Sequence, residues 1–220
     1  QRQMCIRDSI SLGDFSAALD TYKKLTESVP KDVDAAINYG FVLAKLGKFA
    51  QARSTWERAL KMSPDAPDAL NNLGVLHYND KEYVKSVEKY EQALKSNPDL
   101  IEARNNLAAV YVSIGKLDRA IEHYQAVLAK NSSDREARVN LGSIYLTQGK
   151  PQPAVKLLSA AIADDPDDPE LYFNLGIANH MLGRKRAALA AYKEFIKRAA
   201  GKLAWEQHMR QVELAILTLD

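Results

Sequence analysis

The sequence predicts an all-α chain, built as a solenoid of antiparallel helix pairs. Three observations predict it: glycines, prolines and large apolar residues each recur with a period of 34 residues. A repeat of this length, with apolar residues at helical spacing, is typical of solenoids whose neighbouring helix pairs bury a shared core. Nine of the ten glycines lie on this period, in two sets: Gly40, Gly74, Gly142 and Gly176, then Gly13, Gly47, Gly115, Gly149 and Gly183.

Each repeat divides into a first helix, a turn and a second helix. The complete repeats cover residues 33–66, 67–100, 101–134, 135–168 and 169–202, and residues 10–32 supply part of an earlier one. The turn falls at the second glycine of the repeat, where the chain needs a residue that tolerates positive φ. In the 67–100 repeat Lys81 stands there, and Asn79 and Asp80 beside it are the expected substitutes.

The second helices share a pattern of small and large residues. A small residue is followed four positions later by a large one, and three later by a small or aliphatic one, which places all three on one helix face. The small residues let helices approach closely, and the large residue fills the adjacent space. Proline ends the helix, and Asp or Ser near the next helix can cap it. The large residues are Tyr22, Trp56, Tyr90, Tyr124, Leu158 and Tyr192.

The repeat resembles the tetratricopeptide repeat family, whose pattern is W-x-x-L-G-x-x-Y, then A-x-x-x-F, then P. The first helices carry the Leu-Gly part, as in Leu73-Gly74 and Leu141-Gly142 with Tyr145. The resemblance extends from about Leu12 to Lys202. It implies a right-handed superhelix that binds another protein, and it leaves the partner open because family members share a scaffold and not a ligand.

The segment 203–220 is expected to form a C-terminal capping helix. Its apolar residues recur at spacings of four and three, which places them on one stripe of an amphipathic helix. A polar outer face suits the cap that a solenoid needs at its end. The alternative is a helix that docks a partner. The stripe consists of Trp205, Met209, Val212, Ile216 and Leu219.

Residues 1–9 are interpreted as a non-native segment. Met4 to Ser9 matches, codon by codon, a transposase adapter of sequencing libraries, which suggests translated adapter joined to a truncated gene from environmental, bacterial DNA. On this hypothesis the single cysteine, Cys5, is foreign, and a signal peptide, lipid anchor or further repeat has been lost. The alternative is a natural N-terminus.

Composition predicts neither catalysis nor nucleic-acid binding. The net charge of +2 is too small to indicate a surface that binds nucleic acid or an anionic membrane. No apolar run approaches the roughly 18 residues that membrane insertion needs. The four histidines have no metal-ligand spacing, and there is no glycine-rich phosphate loop. We therefore expect no enzyme, cofactor, metal or catalytic residue, with a cytoplasmic or periplasmic location left open.

Asparagine occupies one first-helix position in all five complete repeats. In the family that the chain resembles, this position faces the concave groove. An asparagine amide can pair with a peptide backbone through both donor and acceptor, and this pairing does not depend on the sequence of the peptide. This predicts a peptide-binding ladder similar to that of O-linked N-acetylglucosamine transferase; the alternative is that asparagine only holds helix–helix contacts. The residues are Asn38, Asn72, Asn106, Asn140 and Asn174.

The groove positions next to the asparagines vary and are mostly apolar. Specificity can arise there, because these side chains differ on a constant scaffold. Tyr78 and His180 are isolated polar aromatics that could contact a ligand or only fill the packing. With the asparagines, the predicted peptide-binding residues are Phe41, Val75, Tyr78, Ile177 and His180.

The carboxylate clamp of chaperone-binding relatives is not expected. That clamp uses Lys and Arg on successive first helices, whereas the second position of every complete repeat here is acidic and would repel an acidic tail. Arg104 and Arg138, on adjacent repeats, could offer a local anion contact or lie over the core. The acids are Asp34, Asp68, Glu102, Glu136 and Glu170.

The sequence thus predicts a non-catalytic scaffold that binds an extended peptide or a partner helix in its groove. The alternatives are the repeat arm of a larger enzyme, such as a glycosyltransferase, and part of a bacterial pilus or outer-membrane assembly lipoprotein. In either case the chain would be truncated at its N-terminus. The oligomeric state stays open.

Overall fold

A computed structural model describes residues 15–219, and within this range the chain forms twelve α-helices and one short 3-10 helix, with no strand. The prediction of an all-α array of helix pairs is confirmed. The α-helices are α1 (Phe15–Ser28), α2 (Val33–Lys45), α3 (Phe49–Met62), α4 (Pro67–Asn79), α5 (Tyr83–Ser96), α6 (Ile101–Ser113), α7 (Leu117–Lys130), α8 (Arg135–Thr147), α9 (Pro151–Asp164), α10 (Pro169–Met181), α11 (Lys185–Ala199) and α12 (Glu206–Leu217).

The chain divides into two compact units, residues 1–114 and 115–220. In unit 1 the first helices of the repeats are α2, α4 and α6, and the second helices are α1, α3 and α5. In unit 2 the first helices are α8 and α10, and the second helices are α7, α9 and α11. Within each unit, helices that follow one another in the chain pack together. The suspected adapter segment, residues 1–9, lies outside the described residues.

The turns inside the repeats have a backbone conformation that favours glycine. Gly47, Gly149 and Gly183 have φ of 74°, 69° and 66°, as the sequence predicts. In the 67–100 repeat Lys81 itself adopts φ of 61°, while Asp80 keeps a φ of −78° and Asn79 is the last residue of α4. The expectation that Asn79 or Asp80 substitutes for the glycine is wrong. The turn keeps the geometry of the other repeats, so the residue at the glycine position takes the left-handed conformation.

We expect Lys81→Gly to raise the free energy of unfolding by about 0.5–1 kcal/mol, because glycine avoids the left-handed penalty of a residue with a Cβ atom. The exposed Lys81 side chain makes no hydrogen bond or ion pair within residues 15–219. Urea unfolding followed by circular dichroism measures the change. The matched control, Gly149→Lys, makes the reverse change at the equivalent turn position and should lose about 0.5–1 kcal/mol. A loss of stability in Lys81→Gly would contradict this account.

The first-helix glycines allow a large side chain of the second helix to approach the backbone. A Cβ atom on Gly40 would lie 2.4 Å from the Trp56 indole, and one on Gly176 would lie 2.3 Å from the Tyr192 ring. On Gly142 it would meet Leu158 at 3.2 Å, a milder contact. The recurrence of these glycines therefore follows from helix contact and not from backbone conformation.

The starts of the first helices are capped in only part of the array. Asp32 accepts a hydrogen bond from the Ala35 amide at 2.9 Å, and Asp134 accepts one from Ala137 at 2.9 Å. The Asp168 side chain likewise caps α10. The helices α4 and α6 begin without a side-chain cap. Capping by Asp or Ser is therefore a feature of individual repeats rather than of all of them.

The segment after α11 packs against α10 and α11 within unit 2. A 3-10 turn (Leu203–Trp205) leads into α12, and all five residues of the predicted apolar stripe belong to one cluster with buried Phe195 and Tyr192. The outer face is not wholly polar as expected. Leu214 and Leu217 on α12 are 66% and 73% exposed, and Leu203 in the 3-10 turn before it is 83% exposed. No helix in the described range is long and apolar enough to span a bilayer.

Candidate binding face

Each first helix exposes one stripe of side chains. On α2 the stripe consists of Asp34, Asn38, Phe41 and Lys45, at spacings of four, three and four residues that place them on one face. The remaining faces carry the core, including fully buried Val42. The same register on the other first helices gives the corresponding stripes, so the helical period alone brings the asparagines to an accessible surface.

In unit 1 the three ladder asparagines lie on this surface in different environments. Asn38 is exposed, and Asn72 and Asn106 are half-buried. The Asn106 Nδ2 donates to Oδ1 of Asn71 at 3.0 Å, and Asn71 itself is only 2% exposed. Asn106 therefore also links α6 to α4, whereas Asn38 and Asn72 make no side-chain hydrogen bond within residues 15–219.

In unit 2 the two ladder asparagines are both half-buried. The Asn174 Nδ2 donates to Oγ of Ser143 on the neighbouring first helix at 3.4 Å. The Asn140 side chain makes no hydrogen bond with any described residue. The helix–helix interpretation of the asparagines thus applies to Asn106 and Asn174, and the amides of the other three keep their hydrogen-bonding capacity.

The predicted neighbours in unit 1 are already in contact with other side chains. Phe41 is half-buried, and the Lys45 ammonium lies 5.2 Å from its ring centroid. The Tyr78 hydroxyl is 3.0 Å from Oγ of Ser113, and its ring centroid is 5.8 Å from that of Tyr83. Val75 is half-buried on the same stripe as Asn72. These contacts hold Tyr78 at the edge of the surface.

In unit 2 the predicted neighbours Ile177 and His180 are half-buried. Ile177 packs against the cluster around Phe195. The His180 ring stands edge-on to Tyr192 with centroids 6.3 Å apart, and its Nδ1 lies 3.5 Å from the tyrosine hydroxyl. Burial raises the pKa of Tyr192 above its ordinary value. His180 thus packs against Tyr192 and is also partly exposed at the surface.

The two arginines considered as an anion site have intramolecular partners. Arg104 donates to the Pro98 carbonyl oxygen at 2.6 Å, and Arg138 donates to the Ser132 carbonyl oxygen at 2.7 Å. Arg138 also pairs with Asp164 on α9. Each arginine reaches back six residues to the loop before its own helix. This use of the guanidinium groups connects each first helix to the loop that precedes it.

The turn that contains Lys81 carries a cluster of charged side chains. Glu82 accepts hydrogen bonds from Nζ of Lys85 at 2.8 Å and from Nδ1 of His77 at 2.6 Å. Lys85 first and His77 second lower the pKa of the Glu82 carboxyl. No group of three or more His, Cys, Asp or Glu within residues 15–219 is placed to hold a metal ion.

Sequence reasoning missed a buried polar pair beneath the ladder. Asn71 and Asn105 are 2% and 4% exposed, and they occupy the fifth repeat position, which is apolar in the other complete repeats. The signal in the sequence was the Asn-Asn doublet, which occurs twice at a separation of 34 residues. A buried amide needs a partner. The second asparagine of one doublet supplies it to the first asparagine of the other.

The helix pairs, their regular period and the repeated exposed stripe define an α-solenoid repeat protein, a class that presents extended binding surfaces. Tetratricopeptide repeat models match residues 9–70, 40–101, 78–138, 115–175 and 170–201. The chain belongs to the tetratricopeptide repeat family. A comparison with curated proteins gave no match.

Solved structures share the fold at low sequence identity. PilF of Pseudomonas aeruginosa superposes with a TM-score of 0.83 at 16% identity, covering 96% of this chain and 97% of its own. PilW, described as a type IV pilus biogenesis factor, gives 0.80 at 16% identity and 96% coverage of both chains. YrrB, described as a protein with an unusual peptide-binding site, gives 0.71 at 20% identity, covering 88% of this chain and 100% of its own.

Proposed function

We propose that this protein is a non-catalytic scaffold whose first helices bind an extended peptide or a partner helix. The observation that carries the proposal is the exposed stripe, which has an asparagine at the same position on five successive first helices. Asn38 and Asn72 in unit 1 and Asn140 in unit 2 have amide groups without a side-chain partner in the described range. Such amides can bind a peptide backbone through donor and acceptor together.

The residues beside the asparagines suit the side chains of such a peptide. Phe41 and Val75 in unit 1, and Ile177 in unit 2, are half-buried and lie three residues after an asparagine. Because Phe41 and Val75 lie next to the free amides of Asn38 and Asn72, a ligand can bury apolar side chains there while its backbone forms hydrogen bonds. A peptide-binding site in YrrB, of the same fold, is consistent with this use of the scaffold.

The test separates the free asparagines from those that hold helices together. Displayed random 12-residue peptides are selected on the wild-type chain, and their affinities are measured for Asn38→Ala/Asn72→Ala, which we call the free-asparagine variant and which changes unit 1 alone. We expect a loss of about ten- to a hundredfold, since each lost hydrogen bond contributes about 1 kcal/mol. Asn106 and Asn174 are kept because their removal would also change helix packing.

The matched control replaces two exposed polar residues on a second helix of unit 1, as Gln51→Ala/Ser54→Ala. This variant should bind the selected peptides as the wild type does. Equal affinity for the wild type and the asparagine variant would exclude the ladder as the binding element. Failure to select any peptide would contradict peptide binding altogether.

A second candidate function is a role in pilus or outer-membrane assembly. It is favoured by the likeness to PilW, described as a type IV pilus biogenesis factor, which extends over 96% of this chain. Deleting the gene in its host should then abolish assembled surface pili. Normal pili in the deletion strain would exclude this role and leave peptide binding unaffected.

A further inference from the structure

The first helices of unit 1 lie side by side, so their exposed stripes form one face. Two side-chain contacts join α4 to α6: Asn106 with Asn71, and Tyr78 with Ser113. On the other side, Leu73 of α4 shares a core cluster with Ile37 of α2. We call the stripes of α2, α4 and α6 together the unit 1 face. It consists of Asp34, Asn38, Phe41, Lys45, Asp68, Asn72, Val75, Asn79, Glu102, Asn106, Ala109 and Ser113.

The charges on the unit 1 face are mostly negative. Asp34, Asp68 and Glu102 occupy the same position on successive helices and are all exposed. None of the three makes an ion pair within residues 15–219. The single cation on this face, Lys45, lies at the opposite end of α2 against the Phe41 ring. A ligand on this face therefore meets three unneutralised carboxylates.

Like the three carboxylates, the side chain of Asn106 favours a ligand that donates hydrogen bonds. One of its two Nδ2–H groups donates to Asn71, so the Oδ1 acceptor and one donor stay available to a ligand. Together with the carboxylates, it offers oxygen atoms to a partner. Lys and Arg side chains and backbone N–H groups are the protein donors that satisfy such atoms.

The second helices of unit 1 have the opposite balance. The helices α1, α3 and α5 carry eight Lys and Arg against five Asp and Glu, whereas α2, α4 and α6 carry two basic against three acidic residues. One of those two basic residues, Arg104, is bonded to the Pro98 carbonyl oxygen. A positively charged ligand is thus attracted to the first helices and repelled from the second helices.

We infer that the unit 1 face binds an extended segment that carries Lys or Arg side chains. The inference rests on the proposed function and specifies its partner. The backbone of the segment pairs with the amides of Asn38 and Asn72, and its cationic side chains meet Asp34, Asp68 and Glu102. Val75, three residues after Asn72, contacts an apolar side chain of the segment.

The test uses the full chain and three fluorescein-labelled 12-residue peptides that differ only in charge: alternating Lys-Thr, Gln-Thr and Glu-Thr. Fluorescence anisotropy measures the affinities at low and high salt. We expect Lys-Thr to bind about tenfold tighter than Gln-Thr at low salt, Glu-Thr to bind most weakly, and the differences to shrink as salt screens the charges. Equal binding of the three peptides, or no binding of Lys-Thr, would overturn the inference.

The decisive variant neutralises the three acids, as Asp34→Asn/Asp68→Asn/Glu102→Gln. It should lose the preference for Lys-Thr and keep its affinity for Gln-Thr. Acids in the first turn also stabilise helices, and an unchanged Gln-Thr affinity separates a direct charge contact from that effect. The control Glu27→Gln/Glu57→Gln/Glu88→Gln makes the same change in net charge on second helices and should keep the preference. A preference that persists in the decisive variant, or falls equally in the control, would overturn the inference.

The two proposals fail in different ways. If Gln-Thr binds and the free-asparagine variant loses that binding, while charge has no effect, peptide binding stands and the basic partner is excluded. If Lys-Thr binds the free-asparagine variant with the same affinity as the wild type, the asparagines are excluded as the binding element and the charge preference stands.

Discussion

Replacing Phe195 by alanine should destabilise unit 2 by about 3–5 kcal/mol, the usual cost of removing a buried aromatic ring. Phe195 is 0% exposed. Its ring centroid lies 5.3 Å from that of Phe173 on α10 and 5.8 Å from that of Trp205, edge-on to the latter. One side chain of α11 thus contacts both the preceding first helix and the C-terminal segment. Its loss should release α12 before the rest of the unit unfolds.

Trp205 reports this change directly, because it lies in the same cluster as Phe195. We expect its fluorescence emission to shift to longer wavelength at a denaturant concentration below the main unfolding transition seen by circular dichroism. The control is Leu214→Ala, also in the C-terminal segment but 66% exposed, which should change stability by less than about 0.5 kcal/mol. Equal stabilities of the two variants would contradict the role of Phe195.

Replacing Trp56 by alanine should cost unit 1 about 3–5 kcal/mol. The side chain is 2% exposed, and its Nε1 donates to the Ile37 carbonyl oxygen at 3.0 Å. It packs directly over Gly40. Trp56→Phe keeps most of the ring and loses the hydrogen bond, so we expect a smaller loss, about 1–2 kcal/mol. Guanidinium unfolding followed by circular dichroism measures both variants.

A double-mutant cycle tests why glycine and tryptophan occur together. Gly40→Ala should be destabilising in the wild type, because the new Cβ atom would lie 2.4 Å from Nε1 of Trp56. In a Trp56→Leu background the same substitution should cost much less, because a Cβ atom on Gly142 would meet its partner Leu158 only at 3.2 Å. The two substitutions should therefore couple by about 1–3 kcal/mol. Additive effects would exclude steric contact as the reason for the glycine.

The sequence predicted which residues of the candidate site share one face of each helix, but not the contacts that these residues make with neighbouring helices. Helical periodicity places Asn38, Asn72 and Phe41 on an accessible stripe, and the structure has them there. Periodicity along one helix carries no information about neighbouring helices. The Asn106 contact with Asn71 and the hydrogen bonds of Arg104 and Arg138 therefore emerged only from the three-dimensional arrangement. These contacts divide the asparagines into helix-linking and free groups, and they give both arginines intramolecular partners.

The sequence by itself determined the class of fold, because a 34-residue period in glycine, proline and aromatic positions reflects contacts that recur in every repeat. The tertiary structure decided what departs from the period. Lys81 takes the left-handed conformation because the two helices on either side impose the turn. Leu214 and Leu217 are exposed because α12 buries its other face in the cluster with Phe195. The period can be read from the sequence because the same contacts recur in every repeat. The departures from it depend on which side chains are in contact in the folded protein.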